Sequence, residues 1–202
     1  MSFHVPLATR DVVFLDLETS GLDPGTHEIL DFAAVRLSHD LQVERAAVEH
    51  KCAMRWPERA SAEALAVNRY SPHEWRNALP VRVALVAFGS LIDEECLVVG
   101  HNVWFDWSFV AAAFEREALA VPKTKTLIDT QSIAWPLVKA GHLDRLKLDA
   151  ICTKYGISNA GGHRAMADVR RLIAVYAKML GIRLPEGGTT VEAKKEDTSW
   201  AE

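Results

Sequence analysis

The chain is poor in cysteine. Cys52, Cys96 and Cys152 stand far apart among 202 residues, with no CxxC pair. That spacing excludes a disulfide framework and a zinc ribbon, and it implies free or buried thiols in a reducing compartment. Long apolar runs are also missing, since every one is interrupted well short of the roughly 18 residues a membrane span needs. The stretch from Met1 to Arg10 carries no apolar leader core. No signal peptide and no membrane association are therefore expected, and the location expected is cytoplasmic. Excess charge is lacking too. A formal net charge of −4 argues against a protein that coats polyanions through a basic surface. It still leaves room for a nucleic-acid enzyme, because an acidic metal site adds negative charge that bound cations offset. No internal repeat is present.

What remains is an ordinary globular balance, 49% hydrophobic and 25% charged. The length suits one domain with a sizeable core. That domain is expected over 1–185, with 186–202 as a polar, disordered tail. The tail holds five acids and two lysines, so it accounts for −3 of the −4. Trp200 is out of keeping with a purely solvated tail.

One stretch organises the chain, Val12 to Pro24, VVFLDLETSGLDP. Alternation predicts a strand with Val13, Leu15 and Leu17 on one face and Phe14, Asp16 and Glu18 on the other. Asp16 and Glu18 then lie side by side, and their mutual repulsion is relieved by a shared hard cation such as Mg²⁺. Ser20-Gly21 and Asp23-Pro24 end the strand.

Glu28 to Leu37 and Ala46 to Met54 read as two further strands of an antiparallel meander. Ser61 caps a short helix, and Ser71-Pro72 starts a second through Leu79. Val81 to Ile92 is helical in length and apolarity. Cys96 to Gly100 (CLVVG) suits a buried central strand. Asp106 is expected to open an apolar helix through Leu119. Thr126 to Asp129 reads as a short strand, Thr130 to Val138 as a helix, and Leu143 to Tyr155 as another. His163 to Leu180 is the longest clean helix, with Gly181 at its C-cap. This order implies an α/β fold, a mixed sheet flanked by helices, whose parallel part runs through the first strand, CLVVG and TLID.

Two more acids suggest themselves. Asp106 follows the apolar strand, at the sheet edge where α/β proteins place their sites, although an acid there also suits a helix cap. Asp168 lies five residues after His163. On a regular helix the two diverge by roughly 140°, so they converge only if His163 stands in the loop that Gly161-Gly162 begins.

The order DxE, HNxxFD and HxxxxD, in DLETSGLDP, GHNVWFDWSFV and GGHRAMADVRRL, resembles the DEDD superfamily of 3′→5′ exonucleases, in its histidine-containing DEDDh branch. LIDT fits as well, and the likeness runs from about Val12 to Leu180. The resemblance implies a ribonuclease H-like fold and a metal-dependent 3′→5′ exonuclease that releases nucleoside 5′-monophosphates. The cofactors implied are two divalent cations, Mg²⁺ with Mn²⁺ as substitute. By the same resemblance Asp16 bridges both ions, Glu18 and Asp168 hold the one that binds the attacking water, and Asp106 supports the second. His163 serves as general base. Thr19 contacts the terminal 3′-hydroxyl through its backbone, Leu22 wedges against the last bases, and Phe105 borders the site. The partner implied is nucleic acid with a free, single-stranded 3′ end, DNA ahead of RNA, and a polymerase partner fits. The rival readings are an exoribonuclease that trims RNA on the same site, a member that binds nucleic acid or a protein without cutting, and a small-molecule phosphohydrolase. The chain departs from the family pattern in its second strand, EILDFAA, and only loosely follows some relatives over 56–80.

Overall fold

The computed structural model describes residues 6–124, 126–186 and 190–191. Six strands form one sheet: β1 (Val12–Thr19), β2 (Ile29–Leu37), β3 (Val43–Lys51), β4 (Leu97–Gly100), β5 (Leu127–Asp129) and the two-residue β6 (Thr190–Val191). Their order is β5-β4-β1-β2-β3-β6. The first three strands pair antiparallel, joined by a loop over 20–28 and a tighter turn over 38–42, while β4 and β5 run parallel to β1. All four residues of β4 are buried, as its unbroken apolar run requires of a strand covered on both faces.

The alternation of β1 divides the core. Val13, Leu15 and Leu17 pack with Phe88 of α2 (Val81–Leu91) and with Phe109 and Val110 of α3 (Val103–Arg116). Val12 and Phe14 pack with Val169, Leu172 and Tyr176 of α6 (Ala165–Leu180). Phe14 and Phe109 are fully enclosed, and each such side chain contributes roughly 1.5–3 kcal/mol. Outside α6, helices α4 (Thr130–Lys139) and α5 (Leu148–Lys154) bury Ala134, Ile151 and Cys152 against Val175. The three cysteines are free and buried, as their spacing implies. Among the described residues, no helix is long and apolar enough to cross a membrane.

Several boundaries differ from the sequence reading. The segment after Ser71-Pro72 forms turns and no regular helix, because Trp75 holds it down instead, its ring buried and its Nε1 donating to Leu30 O. The helix after β4 begins at Val103, so Asp106 sits inside its first turn and does not cap it. Helix α5 starts only at Leu148, after His101 Nε2 has engaged the carbonyl of Leu146. Helix α6 starts at Ala165, which leaves His163 in the loop. Of the segment expected as a tail, Thr190–Val191 pairs in parallel with β3. Trp200 lies outside the described residues.

Candidate active site

Strand β4 is shorter than β1, and that difference builds the site. The β1–β4 ladder ends at Phe14 opposite Val99, so β1 runs on past it as a free edge. The next outward amide on that edge, Leu17 N–H, needs an acceptor. Asp106 supplies it, with Oδ1 at 3.0 Å. Gly100 ends β4 where a Cβ would press within 2.9 Å of Val103, so the chain can turn straight from strand into helix. Asn102 takes the left-handed conformation at the turn, and Asp129 Oδ1 fixes its N–H at 2.9 Å while also capping α4. The LIDT motif is thus the brace beneath the HNxxFD loop.

On the α6 side of β1, Asp16 and Glu18 follow Phe14 on one face, as the alternation predicts. The register of β1 against β2 slips between Glu18 and Thr19, a bulge that lets the strand end leave the ladder just past the second acid. His163 precedes α6 with φ of 63°, and its N–H donates to Asp168 Oδ2 at 3.0 Å. The carboxylate of Asp168 therefore folds the preceding loop back over its own helix. Candidate ligand atoms of Glu18, His163 and Asp168 lie within 4.8 Å of one another. Asp16 and Asp106 line the same cleft, of about 710 Å³. All five residues singled out by their chemistry are brought together from three distant parts of the chain.

The cleft holds its acids under electrostatic tension. Burial, then the charges of Asp106 and Glu18, push the Asp16 carboxyl well above its ordinary range. Burial and the facing Asp31 push Glu18 up to about 7. Burial raises Asp106 too, against the hydrogen bond from Leu17. Burial and then the Arg171 and Arg69 charges lower His163, which favours the neutral imidazole. Oxygen-rich donors beside one imidazole suit a hard divalent cation. Asp168 Oδ1 is buried and faces the Arg171 guanidinium, so this oxygen already sits where a positive charge is held. The residues present therefore fit a metal.

A second hollow, of about 470 Å³, adjoins the first across Leu17, Glu18 and Phe105. Its walls are more apolar and include Leu22, Ala64 and Val67. Leu22 projects from the turn at 82% exposure, available to a ligand and not used by the core. Phe105 packs partly on the core and lies 5.0 Å from Phe109. The carbonyl of Thr19 accepts from Asn68 Nδ2 at 2.8 Å, which ties the strand end to the short helix α1 (Ala62–Val67).

Sequence reasoning passed over Arg171, Arg69, Lys147 and His101, all of which line the acidic cleft. Of these, only His101 carried a signal, as the first residue of the HNxxFD motif. Its Nδ1 meets Thr130 Oγ1 at 2.9 Å, and Thr130 in turn reaches Gly100 O. Asp31, in the second strand that departs from the family pattern, stands opposite Glu18 in the register and raises it.

Comparison with known proteins agrees with this architecture. A family model described as RNase_T, exonuclease, matches residues 13–176. The PolC-type DNA polymerase III of Thermotoga maritima is 26% identical over 168 residues, covering 83% of this chain and 12% of the polymerase. A structure of Escherichia coli Exonuclease I in complex with a dT13 oligonucleotide superposes with a TM-score of 0.70 at 20% identity, covering 84% of this chain and 41% of that one. A zinc-bound form of the same enzyme with single-stranded DNA gives the same TM-score at 20% identity, over 85% and 40%. The chain thus spans about an eighth of the polymerase and two fifths of Exonuclease I, and these structural likenesses speak to the fold. With most of its length matched by the family model and its sheet and helices in that arrangement, this chain belongs to the RNase_T exonuclease family, DEDD 3′→5′ exonucleases of ribonuclease H-like fold.

Proposed function

We propose that this chain hydrolyses phosphodiester bonds one nucleotide at a time from the 3′ end of single-stranded DNA, releasing nucleoside 5′-monophosphates. The observation that carries the proposal is the convergence of Glu18, His163 and Asp168 within 4.8 Å, beside Asp16 and Asp106. Asp16, Glu18, Asp106 and Asp168 would hold two divalent cations, Mg²⁺ or Mn²⁺. When bound, such ions neutralise phosphate charge and make water acidic enough to react near neutral pH. His163, neutral and exposed in the cleft, takes the proton from the attacking water as general base. The backbone of Thr19, steadied by Asn68, receives the terminal 3′-hydroxyl. Leu22 and Phe105 bound the adjoining apolar hollow, where the last base is held by stacking and burial.

DNA is favoured over RNA because the relatives are a DNA polymerase and an exonuclease captured on deoxyoligonucleotides. A polymerase is accordingly the partner protein proposed. Free, buried thiols fit a cytoplasmic setting. The test is a 5′-labelled strand incubated with Mg²⁺, as single-stranded DNA, duplex DNA and RNA of one sequence. Laddering from the 3′ end, fastest on single-stranded DNA, is the result expected. An intact strand with a gel shift would mean a binding module, and release of label from the 5′ end would refute the polarity.

A further inference from the structure

Arg171 sits in the acidic cleft, within the GGHRAMADVRRL stretch but outside the HxxxxD core that marks the site. It lies one turn after Asp168 on α6, and both side chains are nearly enclosed, 11% and 9% exposed. Its Nη2 makes an ion pair with Asp168 Oδ1. Its Nη1 donates to Asn159 Oδ1 at 3.1 Å, across the loop that carries His163. Gly162, next to His163, is the seat of the guanidinium. A Cβ there would come within 3.1 Å of Nη2 and 3.4 Å of Nη1. The fork is not well satisfied where it lies, because Arg171 Nε is buried with no hydrogen-bond partner among the described residues.

We infer that Arg171 is a place-holder cation. It occupies the Asp168 oxygen that a divalent ion takes, and the ion must displace it to bind. The inference rests on the metal site of the proposed function. Packed carboxylates repel, and a cleft without an internal cation would splay before metal arrived. The guanidinium holds Asp168 and the His163 loop together until then. The same contact opposes metal binding, because an enclosed ion pair is costly to break unless each charge finds a new partner. Asp168 finds the ion. Arg171 keeps Asn159 and gains freedom to face the cleft, where an anionic phosphate satisfies its spare donors.

The experiment is Mn²⁺ titration by calorimetry on the intact chain, with thermal unfolding measured in chelator and in Mn²⁺. Arg171→Gln removes the charge and leaves an amide donor on a shorter side chain. It is expected to bind Mn²⁺ about tenfold more tightly than the parent, to unfold at lower temperature in chelator, and to recover more than the parent does when Mn²⁺ is added. Arg171→Lys keeps the charge and is expected to bind Mn²⁺ within about threefold of the parent, which keeps the inference testable if the neutral variant does not fold in chelator. Unchanged or weaker Mn²⁺ binding by Arg171→Gln would overturn the place-holder and make Arg171 an orienting group for Asp168. Tighter binding by Arg171→Lys equal to that of Arg171→Gln would overturn it too. A parent chain that binds no Mn²⁺ would instead remove the metal site itself, and the place-holder with it.

Discussion

The two sides of the acidic cleft are built by different means. On the β4 side, Asp106 is locked, 4% exposed, with its Oδ1 spent on the Leu17 amide that the short strand leaves unpaired. On the α6 side, Asp168 holds a loop rather than a strand, and His163 stands exposed on a left-handed backbone. One side is part of the sheet's own hydrogen-bond completion, and the other is a side-chain clamp on a loop. Both arrangements follow from where a backbone amide runs out of backbone partners and a carboxylate meets it.

The largest effect is expected on the strand they share. Asp16→Ala or Glu18→Ala should lower Mg²⁺-dependent hydrolysis by on the order of a thousandfold or more while the fold survives, read as single-turnover laddering beside circular dichroism. On the α6 side, His163→Ala should lower turnover by roughly 10²–10³-fold without weakening binding of the strand. Its rate should lose the dependence on a neutral imidazole, so an unchanged pH profile would remove His163 from the proton step. On the β4 side, Asp106→Ala should cost stability as well as activity. The orphaned Leu17 N–H is worth about 1–3 kcal/mol, whereas Asp106→Asn keeps an acceptor and should recover most of that in thermal unfolding while staying slow. Equal stability of the two variants would detach Asp106 from the sheet.

The smallest effect is a pH dependence of the metal-free chain. The folded-state pKa of Glu18, raised to about 7 from an ordinary 4.5, means that the folded protein binds this proton more firmly than the unfolded chain does. Its contribution to stability is present below the ordinary value and is lost as pH rises through the raised one. In chelator, the unfolding temperature should therefore fall by about 5 °C between about pH 5 and pH 8. Glu18→Gln should flatten that slope, and so should Mg²⁺. An equal slope in the variant would take Glu18 out of it.

The fold was largely legible because β1 and β4 carry their burial in their residue pattern. Alternation placed Asp16 and Glu18 on one face, and an unbroken apolar run placed CLVVG at the centre. The candidate site residues stood out as motifs in order, and Gly161-Gly162 already implied that His163 stands outside the helix. What escaped depended on contacts between distant segments. In the sequence Asp106 suits a site acid or a helix cap, but its bond to the sheet escaped because the unmet amide of Leu17 is 89 residues away. The turn at Trp75 looked helical because Leu30, its acceptor, is 45 residues away. Nothing in the sequence sets Arg171 apart from its neighbours; only the fold brings Asn159 and Gly162 against it.

The most direct measurement is a crystal of this chain soaked in Mn²⁺ and recorded with anomalous scattering. The account predicts manganese density bounded by Asp16, Glu18 and Asp168, with the Arg171 guanidinium withdrawn from Asp168. No manganese between those carboxylates, or manganese bound elsewhere while they face apart, would contradict it.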